Sequence, residues 1–388
     1  MRLLVAAVAA AALIACAGAA PPDGGDNKRT VPPGAHLRTD GVTFRTPDGQ
    51  VFHWRGITAF RLLEYTAHGQ EADAEAFLAW AASRDLTVVR VLAMGAGWMS
   101  LSPSDGRAAL PRLLDLAARH GLYVEIVALA GSADIAVDPA EQVAAIGRIA
   151  AAHANAVLEL ANEPTHPTQA REVHEPQALA RFASAIRNVP VALGADEGEG
   201  FAAGDYVTWH VPRDVRFDGW GHVLEIARGA EMLRRWKKPL VSDEPIGAGP
   251  IYDAGRRDTD PARFRAAGLL TRLAGLGATF HYEAGLHARV PTGRELECFN
   301  AWNEAWTVLP DDIETSGVFH RAGDGGAAVA SFDSGAALAV FERQRADTAW
   351  VIAVGVRGDP GLKWAPGWQP SEVRRSDRLQ VLRARKAK

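Results

Sequence analysis

Two acidic side chains in this sequence lie at the ends of short apolar segments, where they could do chemistry. Glu163 lies in LELANEP and Glu244 in PLVSDEP. Pro164 removes a backbone donor and ends the first of these segments, so its glutamate can stand at a strand end rather than be buried unpaired. Two facing carboxyl groups can serve as proton donor and nucleophile when one keeps its proton and the other is ionised.

The elements that must position these residues alternate regularly along the chain. Eight short, largely apolar segments are separated by helical segments whose apolar residues recur at three- and four-residue steps. This pattern indicates a parallel sheet covered by helices, and eight repeats predict an α/β fold of the (β/α)8 (TIM) barrel type over 37–315. The alternative is a doubly wound open sheet, but no G-x-G-x-x-G loop follows the first strand. The predicted strands are 51–57, 87–92, 123–128, 156–161, 189–193, 206–211, 239–242 and 278–282.

The active site of a TIM barrel lies at the carboxyl ends of its strands. Glu163 ends the fourth predicted strand and Glu244 the seventh, so we expect the two carboxylates to face each other across the mouth. This arrangement suits cleavage of a glycosidic bond, in which one carboxyl protonates the leaving oxygen and the other attacks the anomeric carbon. Because side chains alternate along a strand, a shift of one residue would instead turn Asp243 to the mouth.

These motifs resemble glycoside hydrolase clan A, and most closely family 5, over about 37–309. The resemblance implies that Glu163 in LANEP is the acid/base, that Asn162 binds the sugar 2-hydroxyl, and that Glu244 is the nucleophile. It further implies that Arg90, on the second strand, contacts the nucleophile, and that His210 is the family's sixth-strand histidine.

The sequence departs from the family pattern at three strand ends. Pro212 stands where the family often has a tyrosine two residues beyond the sixth-strand histidine. The end of the third strand has no histidine and offers Ser132 and Asp134. The end of the eighth strand, FHYEAGLH, lacks the tryptophan that forms the floor of the sugar subsite.

Other aromatic or imidazole side chains could form this floor, and each could equally be a core residue. The sequence contains 11 Trp and 5 Tyr, a balance that suits stacking on sugar faces without requiring it. The candidates for substrate contact are Trp98, Trp209, Trp220, His281 and Tyr282.

No metal or other cofactor is predicted. His281, Glu283 and His287 are close in sequence but lack a recognised ligand spacing, and no G-x-S-x-G nucleophile motif occurs. The net charge of −4 gives no overall attraction to nucleic acid. The expected partner is an oligo- or polysaccharide substrate, and the oligomeric state is left open.

The first twenty residues have the features of an export signal. A cationic start, an apolar stretch and small residues predict a signal peptide over 1–20. The stretch LIAC resembles a bacterial lipobox, so we expect Cys16 to be lipidated and the protein to be a periplasmic or cell-surface lipoprotein. Ordinary cleavage near Ala20 is the alternative, and the protein would then be secreted. Residues 21–36, rich in Pro and Gly, predict a disordered tether.

After the barrel the pattern changes to short β-like runs, which predict a small β appendage over 316–388. Cys298, in a helical pattern, is expected to be a buried apolar residue rather than a reactive thiol. The sequence as a whole predicts a retaining glycoside hydrolase acting on a β-linked glycan. The alternatives are a carbohydrate-binding lipoprotein that keeps the barrel without turnover and, more remotely, a sugar lyase or isomerase. The sugar, its linkage and the choice between internal and terminal cleavage are left open.

Overall fold

The computed structural model describes residues 36–387, apart from 197, 213, 215, 245–246, 249, 252–255, 258–259, 316, 324–327 and 377. The predicted signal peptide, Cys16 and nearly all of the predicted tether lie outside the described residues. In the part of the chain that is described, no helix combines the length and apolarity needed to cross a membrane.

Eight parallel strands form a barrel-shaped sheet, in the order 5-4-3-2-1-8-7-6. The first and eighth strands pair directly, with Ala278 opposite Arg55 and Phe280 opposite Ile57. The fifth and sixth strands meet where the Tyr206 N–H donates to the Val191 carbonyl at 3.4 Å. This topology confirms the TIM barrel and excludes the doubly wound sheet. The strands are β1 Arg55–Thr58, β2 Val88–Leu92, β3 Tyr123–Leu129, β4 Ala156–Ala161, β5 Val191–Gly194, β6 Val207–Trp209, β7 Leu240–Ser242 and β8 Gly277–Tyr282.

Helices on the outside of the barrel begin at side-chain caps in three places. Ser102 accepts from the Asp105 N–H at 3.1 Å, Asp138 from Ala140 at 2.9 Å, and Asp260 from Ala262 at 3.0 Å, and each cap precedes a proline. The helices are α1 Leu62–Ala67, α2 Glu71–Ser83, α3 Pro103–Arg119, α4 Pro139–Ala151, α5 Pro176–Ser184, α6 Gly221–Trp236, α7 Pro261–Ala274, α8 Glu283–Leu286, α9 Gly293–Asn303 and α10 Ala305–Val308.

Short elements complete the connections between strands. In the described part of the chain, 3₁₀ turns occur at Arg171–His174 and Glu199–Ala203. The segment after β7 contains short strands at Gly247–Ala248, Pro250–Ile251 and Arg256–Arg257.

A three-stranded antiparallel sheet, formed by Arg38–Asp40, Thr43–Arg45 and Val51–Phe52, precedes the barrel. The predicted strand 51–57 is therefore wrong as a single element, because its first part pairs with this sheet and its second part is β1. Phe44 packs on Trp54 and Tyr206, with ring centroids 5.1 and 5.3 Å apart, at the amino end of the barrel.

The described chain also enters at this end. His36 lies beside 188–190 and Asp205, which precede β5 and β6. Its ring contacts the carbonyl of Ala151, the last residue of α4, at 3.2 Å. The entry point is therefore on the face opposite the carboxyl ends of the strands.

A five-stranded antiparallel sheet lies within the range predicted for the β appendage. Two arginines form hydrogen bonds between this sheet and the outside of the barrel. Arg343 donates to the carbonyls of Leu273 and Glu314, both at 2.7 Å, and Arg234 of α6 donates to the carbonyl of Phe319 at 3.1 Å. In spatial order the strands are Val318–Arg321, Ala339–Arg345, Thr348–Val354, Leu379–Lys386 and Trp368–Ser376, and a separate pair is formed by Ala330–Ser331 and Lys363–Trp364.

Candidate active site

Arg90 lies at the centre of the barrel and is fully buried. Its guanidinium donates to Glu244 at 2.7 Å, to Glu159 at 2.7 and 3.1 Å, and to Oδ1 of Asn162 at 2.9 Å. One planar cation thus fixes side chains from β4 and from the end of β7 at once. Asn162 accepts from Arg90 with its oxygen, so its amide nitrogen is the atom that can donate to a ligand.

Glu244 follows β7 at the mouth, where 10% of its side chain is exposed. Burial favours its neutral form, but the charges of His210, His281 and Arg90, with the Arg90 hydrogen bond, hold the pKa of Glu244 well below its ordinary value. The carboxylate is therefore ionised at neutral pH, which is the charge state that a nucleophile requires.

Glu163 follows β4 and is the more exposed of the two glutamates, with 44% of its side chain accessible. Its φ of 45° lies in the left-handed region, a conformation that costs about 1–3 kcal/mol in a residue other than glycine. The hydrogen bond from His210 lowers the pKa of Glu163, although burial and the charge of Glu244 act in the opposite direction. The resting structure therefore lowers the pKa of the carboxyl that is expected to donate the proton.

His210 lies between the two glutamates, directly after β6. Its Nδ1 is 3.4 Å from Glu163, and its Nε2 is 3.8 Å from Glu244 and 3.6 Å from Asp243. Burial opposes its protonation, but Glu244, Asp243 and Glu163 together raise the pKa of His210 to about 9. The ring is therefore an imidazolium at neutral pH.

Asp243, the alternative mouth carboxylate, is fully buried below the mouth. Its Oδ2 is 3.3 Å from Arg90 and its Oδ1 is 3.6 Å from His210. Burial raises the pKa of Asp243 to about 7, against the opposing charges of Arg90 and His210. Of Asp243 and Glu244, only Glu244 is partly exposed. This is what the sequence predicts without a shift of the strand by one residue.

Four inward-facing polar residues were missed by the sequence reasoning. Tyr206 donates to Glu125 at 3.1 Å, and Thr208 donates to Glu159 at 3.1 Å. Burial, together with the charge of Glu159, raises the pKa of Glu125 well above its ordinary value. The signal that could have found the two glutamates is a charged residue in the middle of an apolar strand, two or four residues from the strand end.

Glu125, Glu159 and Asp243 are the one group within the described ranges whose atoms could together hold a metal ion. The guanidinium of Arg90 already lies 2.7 to 3.6 Å from all three carboxylates. A cation of the protein itself therefore occupies the position that a metal ion would take.

His281 and Trp98 lie near the mouth. His281, 6% exposed, has its Nδ1 3.0 Å from the hydroxyl of Thr58 and its ring 5.8 Å from that of Phe60. The ring of Trp98 is 6.2 Å from Phe60 and 6.4 Å from His287, and the residue is 48% exposed. Trp98 is thus an accessible aromatic surface beside the site.

Three of the aromatic candidates belong to the core instead, and their assignment to substrate contact is corrected. Trp209 is fully buried because it alternates with the inward Thr208 and His210 and faces the helices, where Gly229 of α6 leaves room for its ring. Trp220 is also fully buried, at the start of α6, beneath Arg378 of the appendage. The fully buried Tyr282 donates to the carbonyl of Arg289 at 2.6 Å.

The end of the third strand supports the loop that carries Asn162. Ser132 donates to the side chain of Gln169 at 2.7 Å, and Gln169 donates to the backbone carbonyl of Asn162. Ser132 thus forms a supporting hydrogen bond at the strand end where the family pattern has a histidine. Cys298 is fully buried in α9, as expected.

No family model and no curated protein matches the chain, but solved structures do. A structure described as a glycoside hydrolase aligns with a TM-score of 0.61 and 15% identity, over 91% of this chain and 97% of that one. A family 5 glycoside hydrolase from Bacteroides vulgatus ATCC 8482 aligns with a TM-score of 0.59 and 13% identity, over 90% and 93% of the two chains.

A third similar structure is the β-glucanase SdGluc5_26A from Saccharophagus degradans in complex with cellotetraose. It aligns with a TM-score of 0.51 and 11% identity, over 74% of this chain and 96% of that one. At such identities the likeness concerns the fold. The resemblance that the motifs predicted is thus confirmed at that level: this chain has the fold of glycoside hydrolase family 5 structures, in a divergent sequence.

Proposed function

We propose that this protein is a retaining glycoside hydrolase that cleaves a β-linked glycan. The observation that carries the proposal is the fixed pair at the barrel mouth. Arg90 holds Glu244 at 2.7 Å while one ring, His210, lies within 3.4 Å of Glu163 and 3.8 Å of Glu244. The family 5 fold supports the same chemistry.

In the proposed reaction Glu244 attacks the anomeric carbon and forms a glycosyl-enzyme, while Glu163 delivers a proton to the leaving oxygen. Water then hydrolyses the intermediate, with Glu163 taking a proton from the water. Asn162 donates to the sugar 2-hydroxyl, and Trp98 offers a face for stacking. Retention requires the two carboxyl groups to lie roughly 5–5.5 Å apart, and a separation near 8 Å in a crystal structure would indicate inversion.

The second candidate is a carbohydrate-binding protein without turnover. It is favoured by the lowered pKa of Glu163, because a carboxylate that is ionised in the resting state has no proton to give. A binding protein, however, gains nothing from an ionised, arginine-held carboxylate placed opposite a second one. We therefore place hydrolysis first.

The deciding experiment is a screen of aryl glycosides and polysaccharides with the wild type and Glu244→Gln in parallel. Glu172→Gln is the matched control, because Glu172 is an exposed glutamate in the loop after β4. We expect turnover in the wild type and the control and none in Glu244→Gln. Glycan binding without turnover in all three proteins would favour the binding function instead.

The roles of the two glutamates are separated by azide. In Glu163→Ala the glycosyl-enzyme still forms on Glu244, so azide should restore the rate and give a β-glycosyl azide from a β-linked substrate. In Glu244→Ala azide displaces the aglycone directly and should give the α-azide. Proton NMR of the products distinguishes the anomers, and the opposite pairing would exchange the two roles.

We further propose that the protein is exported and anchored through a lipid on Cys16. The support is the sequence alone, in the lipobox-like LIAC followed by a segment rich in Pro and Gly.

A further inference from the structure

His210 is the feature of the site that the two-glutamate reaction leaves unused. One imidazole contacts three carboxylates, with Nδ1 toward Glu163 and Nε2 toward Asp243 and Glu244. Asp243 is the unusual member of this group. It is fully buried, and neither of its oxygens has a hydrogen-bond partner among the described residues.

Among the described residues, carboxylates outnumber cations at the mouth and in the barrel interior below it. Arg90 forms four hydrogen bonds with Glu244, Glu159 and Asn162. Glu163 is hydrogen-bonded to His210 instead, and the charge of His166 acts on it more weakly. An ionised carboxylate buried without a cation is costly, and a proton on the ring lowers that cost for three carboxylates at once. The five carboxylates are Glu163 and Glu244 at the mouth and Glu125, Glu159 and Asp243, which are fully buried in the barrel interior.

We propose that in the resting protein His210 holds the proton that Glu163 delivers to the leaving oxygen, and that Asp243 is a positioning residue that keeps this proton on the ring. The proposal rests on the proposed glycoside hydrolysis. It accounts for the finding that Glu163, the group assigned to proton delivery, is itself ionised. The pKa of about 9 for His210 agrees with it.

The proton balance closes over one turnover. At rest His210 is an imidazolium and both Glu163 and Glu244 are carboxylates. As the Glu244 oxygen bonds to the anomeric carbon, the glycosidic C–O bond breaks, and the proton passes from Nδ1 of His210 through Glu163 to the leaving oxygen. When water hydrolyses the glycosyl-enzyme, its proton returns through Glu163 to His210, and its hydroxyl oxygen bonds to the anomeric carbon as Glu244 leaves as a carboxylate.

The geometry also explains why His210 releases its proton during the reaction. Forming the ester on Glu244 removes one of the negative charges beside Nε2, so the ring holds its proton less tightly at the moment when it is needed. Charged groups face His210 from three elements: Glu163 from the end of β4, Asp243 and Glu244 from the end of β7, and Arg90 from β2. Of these, Arg90 alone disfavours the imidazolium.

The direct test is the titration of His210 by nitrogen NMR in the full protein, with the signal assigned by its loss in His210→Gln. We expect a midpoint near pH 9 in the wild type. In Glu244→Gln, which mimics the neutral ester, and in Asp243→Asn, the midpoint should fall by about 1–3 units. Glu172→Gln should leave it unchanged. A neutral ring at pH 7 in the wild type, or no shift in Glu244→Gln, would overturn the proposal.

A kinetic test separates proton delivery from a structural role. In His210→Gln, aryl glycosides with poor leaving groups should slow by about tenfold or more beyond those with good ones, since only the former need protonation. Equal slowing of both classes would overturn the catalytic part. If the wild type cleaves no glycoside while His210 still titrates near pH 9, the proposed function fails and the assignment of charge stands.

Discussion

Replacement of Arg90 by methionine is expected to destabilise the fold strongly, and more so at high pH. The substitution keeps much of the side-chain length but removes the charge that lies 2.7 to 3.6 Å from Glu125, Glu159, Asp243 and Glu244. Removing one partner of a buried ion pair costs about 3–5 kcal/mol. A domain with a total stability of about 5–15 kcal/mol would remain folded only narrowly.

The pH dependence of this loss follows from the sign of the pKa changes. Burial already raises the folded-state pKa values of Glu125 and Asp243, and the charge of Arg90 opposes that rise, so without Arg90 these two pKa values rise further above their unfolded values. Such groups destabilise the fold as pH rises from the unfolded pKa toward the folded one. One additional proton held by the folded variant between pH 5 and 8 changes the stability difference by up to about 4 kcal/mol. The variant should therefore approach the wild type at pH 5 and fall furthest below it at pH 8.

The assay is denaturant unfolding followed by circular dichroism, at pH 5 and pH 8, for the wild type, Arg90→Met and Arg272→Met. Arg272 is the control because it is also buried but pairs with one carboxylate, Glu314 at 3.0 Å, and otherwise with backbone carbonyls. Since His53 remains as a partner of Glu314, Arg272→Met should lose stability with a weaker dependence on pH. An Arg90→Met protein as stable as the wild type at pH 8, or equally destabilised at both pH values, would refute the reasoning.

Three further predictions concern other parts of the molecule. Trp98→Ala should raise KM about five-fold, the equivalent of about 1 kcal/mol of stacking, with an unchanged melting temperature, whereas Trp209→Ala should lower the melting temperature; a fall in stability for Trp98→Ala would contradict its exposed position. Gly194→Ala should destabilise by about 1–3 kcal/mol in thermal unfolding, because φ is +145° and a Cβ would lie 2.3 Å from the Ala161 carbonyl oxygen. Mass spectrometry of the mature protein should find acyl chains on Cys16, and a mature chain starting after that residue would leave secretion alone.

The barrel was predictable because its strands are apolar on both faces and its helices are amphipathic. Short apolar runs and segments with apolar residues at three- and four-residue steps therefore alternate along the chain. Trp54 lies inside the single predicted strand 51–57 and gave no sign that the chain changes sheets there. The antiparallel pairing of Val51–Phe52 with Thr43–Arg45 is a hairpin across Pro47-Asp48-Gly49, a turn that the local sequence indicates, but the local pattern does not tell where this hairpin ends and β1 begins.

The sequence predicts those site residues that stand at or near strand ends. His210 directly follows the last residue of a strand, Glu163 and Glu244 stand two residues beyond one, and Arg90 is a lone cation in an apolar run. Successive side chains of a strand point to opposite faces, so Trp209 faces outward when His210 faces inward. This rule does not tell how completely the helices bury the outer face. Trp220 could not be placed from the sequence, because its cover is Arg378, far along the chain.

The charge states of the site could not be predicted from the sequence. A strand-end carboxylate keeps or loses its proton according to what lies within a few ångströms of it. Nothing local to Glu163 indicates that the ring of His210 lies 3.4 Å away, or that Asp243 lies on the far side of that ring.

The entry of the described chain at the amino end of the barrel sets the orientation that an anchored form would have. With a lipid on Cys16, and if residues 21–36 form the disordered tether that the sequence predicts, the lipid would lie on average about 25 Å from His36. This tether would hold the face around His36 toward the bilayer, because that face is where the segment joins the barrel. The opposite face, with Glu163 and Glu244, would then point away from the lipid and toward polymers too large to approach the membrane surface.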